Sequence, residues 1–183
     1  MSIGPDTKDW TWVIERPCPE CGFDASTLPL ADVPAAIRAN AAAWPDVLAR
    51  PDVRHRPDPG TWSPLEYGCH VRDTCRVFGD RLELMITRDE PLFPNWDQDA
   101  SAVENRYGDQ DPTEVAADLQ RAAAGLAASF EAVRGEQWRR TGRRSDGSRF
   151  TVETLARYFV HDPVHHLHDV GVRPAGGPAA PAR

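Results

Sequence analysis

The last predicted helix carries the stretch RYFVHDPVHHLHDV, residues 157–170, on which both the fold and the chemistry of the chain depend. The stretch contains four of the six histidines. His161, His165 and His168 follow at intervals of four and three residues, which places them on one stripe of a helix. Inward-facing residue types continue that stripe, so we expect it to face other helices.

Within this stripe, His161 and His165 are neighbours on the helix surface and can bind one ion together. His161 and His168 lie roughly 10 Å apart along the axis, too far to share an ion bound at about 2 Å. The favoured pair is therefore His161 with His165. His165 with His168 is the weaker alternative, and His166 is expected to point elsewhere. Without a metal, the same histidines would be satisfied by carbonyl groups and water.

Three more segments with helical spacing precede this helix. The first begins near Asp32, with Pro34 in its first turn, and Pro45 is expected to kink or end it. The second begins at SPLE, residues 63–66, where Ser is the N-cap, Pro follows at the first position and Glu stands three after the cap. Its apolar stripe predicts a helix to about Arg88.

The third helix is predicted from DPTE, residues 111–114, to near Gly135. Residues 89–110 form a long loop that is expected to close over one end of the bundle. Residues 138–149 predict a turn or a small hairpin, and no convincing strand pattern is visible. Pro163 is expected to kink the last helix at the histidine pair.

Four helices with one apolar face each predict an all-α protein, a four-helix bundle over residues 31–172. An irregular lead-in over residues 1–30 precedes the bundle, and a disordered tail over residues 173–183 follows it. The net charge of -7 and pI near 5.3 argue against nucleic acid as a partner. No membrane span and no secretory signal are visible, so we expect a cytoplasmic protein with reduced cysteines.

His70, near the start of the second helix, faces inward and is a candidate third ligand for His161 and His165. Three imidazoles with an open position would form a catalytic type of zinc, nickel or iron site. Asp73, Asp162 and Asp169 are candidates to orient such ligands, and solvated carboxylates on the helix surface are the alternative for each. The alternative for His70 is a histidine at the edge of the core, bonded to a carbonyl group.

The lead-in contains CPECG, residues 18–22, in which Cys18 and Cys21 have half of the spacing of a zinc site. Cys69 and Cys75 are poor completions because they point about 120° apart on their helix. A redox dithiol is a second interpretation. A third is a pair of thiols in a turn shaped by Pro and Gly.

The long loop offers several candidates for substrate contact or acid–base chemistry, and an acidic solvated loop is the alternative for each. The candidates are Trp96, Asp97, Asp99, Asn105 and Tyr107. With Asp162 of the last helix, Asp97 and Tyr107 are the candidate catalytic residues.

Together, WSPLE at residues 62–66, His70, the long loop, the third helix and the pair His161-x-x-x-His165 resemble the DinB/YfiT-like superfamily. The resemblance covers roughly residues 31–172. It implies a bundle with one long crossover connection and His70, His161 and His165 as ligands of zinc or nickel. Homodimers are common in that superfamily, and some of its members are thiol S-transferases that use bacillithiol or mycothiol. The resemblance therefore also implies a homodimer and a thiol S-transferase activity.

The leading hypothesis is a metal-dependent, mycothiol-type thiol S-transferase that acts on small electrophiles. A thiol bound at the ion would ionise and attack the electrophile. A metal-dependent hydrolase at the same site is the nearest enzymatic alternative. A non-catalytic metal-binding or stress-response bundle is the next alternative, followed by an interaction module in which the histidines bind nothing.

Overall fold

A computed structural model describes residues 10–172 of the chain, and four long helices account for about half of that part. Their bounds are α1 Val33–Leu48, α2 Pro64–Thr87, α4 Pro112–Ala132 and α5 Val152–Asp169, with a short α3 at Gln98–Glu104. α4 packs along both α1 and α2, and α5 packs against the same two helices. The predicted helical bundle is confirmed. The predicted disordered tail lies outside the described residues.

The predicted start of α2 is confirmed in detail. Ser63 Oγ accepts a hydrogen bond from the Glu66 backbone N–H, and Glu66 Oε2 accepts one from the Ser63 backbone N–H at 2.9 Å. Such a cap stabilises a helix by about 1 kcal/mol. Arg56 Nε donates to the same Glu66 carboxylate at 2.8 Å. The first turn of α2, and with it His70 one turn later, is therefore firmly placed.

Neither proline inside a helix ends it. α1 continues past Pro45 to Leu48, contrary to the alternative that Pro45 terminates it, and α5 continues past Pro163 to Asp169. The proline costs one backbone hydrogen bond, and burial of the following turn outweighs that loss. Asn40 of α1 ties the two helices together by donating from Nδ2 to the Pro163 carbonyl at 2.7 Å.

A small sheet, whose strands gave no clear pattern in the sequence, closes one side of the molecule. Its strands are β1 Leu92–Phe93, β2 Thr141–Arg144 and β3 Arg149–Thr151. β2 and β3 form an antiparallel hairpin, one of the two predicted alternatives, and β1 adds parallel to β2. Strands of two to four residues are too short to show an alternating pattern. β3 runs directly into α5, whose N-cap is Thr151.

The described part of the lead-in, residues 10–30, packs on α5 through two short 3-10 turns, Thr11–Ile14 and Ala25–Thr27. Val13, Cys18 and Ala25 of this segment are fully buried. The lead-in is therefore part of the core. Within residues 10–172, no helix is both long and apolar enough to cross a membrane.

Candidate metal centres

α5 carries two pairs of ligand-type residues, offset by one position along the helix. His161 and His165 form one pair, and Asp162 and His166 form the other. Each pair has the spacing of helix-surface neighbours, and one step along a helix turns the direction of a side chain by about 100°. The two pairs therefore face different neighbours.

The first cluster consists of His70, Asp162 and His166, whose ligand atoms lie within 4.8 Å of one another. His70 Nε2 lies 3.4 Å from Asp162 Oδ2, and His166 Nε2 lies 3.6 Å from Asp162 Oδ1. The rings of His70 and His166 meet edge to face, with centroids 4.8 Å apart. One residue of α2 and two of α5 thus converge on one point.

Two buried atoms of this cluster have no hydrogen-bond partner among the described residues: His70 Nδ1 and Asp162 Oδ2. A buried polar atom left unpaired costs about 1–3 kcal/mol. An unpaired carboxylate oxygen beside two imidazoles is the donor set that a divalent cation takes up. The residues present therefore fit the divalent metal that the family resemblance implies.

The first cluster stabilises the negative charge of Asp162 and the positive charge of His166. Burial opposes ionisation of Asp162, but His166 and His70 outweigh it and hold the pKa of that carboxyl well below its usual value. Burial also opposes the charged form of His166, yet Asp162 and Asp169 raise its pKa to about 9. His70, the most deeply buried of the three, has its pKa lowered by that burial.

Groups around the cluster fix the orientation of its rings. Asp169 Oδ2 lies 2.9 Å from His166 Nδ1 and accepts its hydrogen, which leaves Nε2 directed at Asp162. A carboxylate behind a histidine is the usual support of a metal ligand. Trp96 of the long loop stacks on His70, with centroids 5.4 Å apart, so that the loop does cover this end of α2.

The second cluster consists of Cys18, Cys21, His161 and His165, and its ligand atoms also lie within 4.8 Å of one another. Cys18 Sγ is 3.6 Å from His165 Nδ1, and Cys21 Sγ is 3.8 Å from His161 Nε2. Burial raises the pKa of the Cys21 thiol to about 12, which disfavours a reactive thiolate. Burial also lowers the pKa of His161 to about 4, so its imidazole is neutral.

A pocket of about 510 Å³ opens beside both clusters. Its walls combine aromatic rings with carboxylates, and among the described residues that line it none is Lys or Arg. The aromatic residues are Trp10, Trp62, Tyr67 and Tyr158, and the carboxylates are Glu20, Asp99, Asp162 and Asp169. The pocket therefore suits a neutral or cationic polar ligand better than an anion.

The structure divides the predicted ligand trio between the two clusters. His161 and His165 do lie side by side, but they meet Cys18 and Cys21, whereas His70 joins Asp162 and His166. His166 does point away from the pair His161 and His165, as expected, and its ring contacts that of His70 instead. Asp162 and His166 are four residues apart, as His161 and His165 are, so the sequence contains the signal for this pair when a carboxylate is counted as a ligand.

The candidate catalytic residues have different surroundings. Asp97 is the N-cap of α3 and accepts from the Ala100 backbone N–H at 2.9 Å. Tyr107 is fully buried, and its hydroxyl donates to Asp73 at 2.7 Å. Asp162 belongs to the first cluster and lines the pocket. Of the remaining loop candidates, Asp99 lines the pocket.

The sequence profile of the DinB superfamily matches residues 30–170, so the chain belongs to that superfamily. Among solved structures it is similar to YfiT from Bacillus subtilis, which is described as a probable metal-dependent hydrolase with an unusual four-helix bundle topology. The TM-score is 0.65 at 20% identity, and the match covers 91% of this chain and 90% of YfiT. This likeness confirms the predicted fold class. Curated proteins give no match.

Proposed function

We propose that the chain is a metal-dependent thiol S-transferase whose divalent ion is held by the first cluster. The observation that supports this proposal is the Asp162 carboxylate, which lies between two imidazoles at the wall of the pocket and whose buried Oδ2 makes no hydrogen bond within the described residues. Two imidazoles and a carboxylate suit zinc or nickel and leave coordination positions for a small molecule. When bound, such an ion lowers the pKa of a coordinated thiol.

The chain itself supplies orientation and a partly dry site. Asp169 holds the His166 ring, while Trp96 and Trp62 pack on the ring of His70. In the reaction, a bond forms between the thiol sulfur and an electrophilic carbon. The leaving group departs with its bonding electrons, and the thiol proton passes to water at the open mouth of the pocket.

The lining of the pocket indicates which thiol it suits. Four carboxylates line the pocket, and its described lining contains no lysine or arginine, so the pocket disfavours an anionic thiol such as glutathione. A sugar-bearing thiol such as mycothiol carries hydroxyl groups for the carboxylates and ring faces for the aromatic walls. Mycothiol is therefore the proposed co-substrate.

Hydrolysis at the same cluster is the second candidate. It is favoured by the likeness to YfiT, described as a probable metal-dependent hydrolase. The same three residues would hold the ion, and water would take the place of the thiol. A purely structural ion is the remaining alternative, and closed coordination would favour it.

The test measures metal content and activity on protein purified without chelator. Conjugation of mycothiol, bacillithiol and glutathione to one fluorogenic electrophile is compared with hydrolysis of ester and amide panels. Asp162→Asn and His166→Gln should lose the ion and about 10-fold or more of the activity, since ligand geometry sets affinity. His168→Gln, a change at an exposed histidine of the same helix, should retain both.

A metal-loaded protein that conjugates none of the thiols but hydrolyses a substrate would replace the transferase with the hydrolase. If Asp162→Asn keeps full metal content and full activity, the first cluster is not the site. The expected homodimer and cytoplasmic location remain predictions, which light scattering and cell fractionation would check.

A further inference from the structure

The second cluster combines ligands that are far apart in the chain. Its two thiols come from the lead-in and its two imidazoles from α5, and Cys21 and His161 are 140 positions apart in the sequence. Their spacings, Cys18-x-x-Cys21 and His161-x-x-x-His165, match the two halves of Cys2His2 zinc sites. We propose that the second cluster is a closed zinc site that fastens the lead-in to α5.

The observed distances agree with tetrahedral coordination. Bonds of about 2.3 Å from zinc to sulfur and about 2.05 Å to nitrogen, at a tetrahedral angle, place sulfur and nitrogen about 3.6 Å apart. The two sulfur–nitrogen distances of the cluster are 3.6 and 3.8 Å. Both sulfur–nitrogen distances therefore agree with zinc coordination, and all four ligand atoms lie within 4.8 Å of one another.

The backbone of the lead-in is shaped to present both sulfurs to one side. The Cys18 backbone N–H donates to the Phe23 carbonyl at 2.9 Å, and the Gly22 N–H donates to the Cys18 carbonyl at 2.9 Å. Gly22 has a φ of 74°, a conformation that favours glycine. This turn has the backbone shape of a zinc knuckle.

Neighbouring side chains orient and cover the two histidine rings of the second cluster. His165 Nε2 lies 3.4 Å from Glu20 Oε2, which leaves Nδ1 directed at Cys18. A carboxylate behind the metal-facing nitrogen is the expected support of a zinc ligand. Trp10 packs on the rings of both histidines, with centroids 5.8 and 5.3 Å away. Four protein ligands and a covering ring indicate a structural site rather than a catalytic one.

The zinc site has a consequence for the neighbouring pocket. Trp10 and Glu20 belong to the lead-in and line the pocket, so the ion would hold one of its walls in place. Binding would displace the two thiol protons to solvent. The inference does not depend on the proposed function, because none of its ligands belongs to the first cluster.

The first test is the metal content of the full-length chain, purified without chelator after growth with zinc. Wild type should carry one zinc equivalent, beyond any ion held by the first cluster, that is lost in Cys18→Ser/Cys21→Ser and in His161→Gln. It should be retained in Cys69→Ala, which removes a buried thiol outside both clusters. Asp162→Asn should also retain it, which separates this site from the first cluster.

The second test reads the ligands directly and does not require a variant to fold. Wild-type protein reconstituted with Co²⁺ should show tetrahedral d–d bands and a thiolate-to-cobalt charge-transfer band. Zn²⁺ should abolish both. A chelator should make Cys18 and Cys21 available to alkylation and the lead-in susceptible to limited proteolysis.

Three results would overturn the proposal. These are a cobalt spectrum without thiolate charge transfer, zinc content unchanged in Cys18→Ser/Cys21→Ser, or a Cys18–Cys21 disulfide as the main form under reducing purification. The last result would support the redox-dithiol interpretation instead.

Discussion

The indole of Trp96 lies parallel to the imidazole of His70, with an angle of 6° between their planes and 5.4 Å between their centroids. Trp96 comes from the long loop after α2, and its Nε1 donates to Ser101 Oγ at 2.7 Å. The loop therefore contacts the first cluster through a ring stack that a mutation can remove.

Trp96→Ala should weaken metal binding at the first cluster by roughly 2- to 10-fold, since a stacked aromatic pair contributes about 0.5–1.5 kcal/mol. Competition with a chromophoric chelator would measure the affinity. Trp96→Phe keeps a ring on His70 and should lie closer to wild type. Equal affinities for all three proteins would show that the stack does not position His70.

Asn40→Ala should lower the free energy of unfolding by about 1–3 kcal/mol, because it leaves buried partners without hydrogen bonds. Asn40 donates to the Pro163 carbonyl and accepts from Trp44 Nε1. Urea denaturation monitored by circular dichroism would measure the change. Arg38→Ala, on the same helix as Asn40, breaks only an exposed ion pair with Glu131 of α4 and should change the free energy of unfolding far less. Similar losses for both variants would contradict this explanation.

Asp73 should contribute stability that disappears in acid. Burial alone would raise the pKa of its carboxyl, but hydrogen bonds from Arg72 and from the Tyr107 hydroxyl outweigh burial and lower it. An unfolded aspartate has a pKa of about 3.9, so the contribution is present above about pH 4 and is lost as the pH falls through the folded value.

The difference in unfolding free energy between wild type and Asp73→Asn, measured with chelator present, should therefore shrink below about pH 4. Asp109→Asn, at an exposed carboxylate, serves as the control. A difference that stays constant from pH 7 to pH 3 would assign the effect of Asp73 to shape rather than charge.

Gly142→Ala should destabilise the protein by about 1–3 kcal/mol, the usual cost of overpacking. A Cβ at this position of β2 would lie 2.8 Å from Met85 Cγ and 2.9 Å from Phe93 Cε1. Gly79→Ala in α2 is the matched control, because its Cβ meets nothing within 4 Å, and it should gain about 0.5–1 kcal/mol. Thermal unfolding would measure the stability of both variants. A Gly142→Ala variant as stable as wild type would contradict the prediction and show that Met85 moves aside freely.

Features encoded over a few residues could be predicted from the sequence. The capping box at residues 63–66 is local, and the structure reproduces it. The sequence could not show whether α1 ends at Pro45, because the answer depends on how strongly other helices bury the next turn. β1 and β2 pair across about 50 residues, a contact that no local pattern records.

The candidate site shows the same limit. The spacing of His161 and His165 predicts correctly that the two rings are neighbours. Which partners they meet depends on the rotation of α5 in the bundle, and the pair Asp162 and His166 has identical spacing one residue later. Cys18 and Cys21 meet His161 and His165 only because the lead-in folds back onto α5.

The one-residue offset between the two pairs on α5 has a mechanical consequence. Any roll of this helix about its long axis would move His161 and His165 relative to their sulfurs and, by the same angle, Asp162 and His166 relative to His70. The contacts of the two clusters therefore both constrain the rotation of α5 about its long axis. Changes in the surrounding apolar side chains are tolerated only if they leave that angle unaltered.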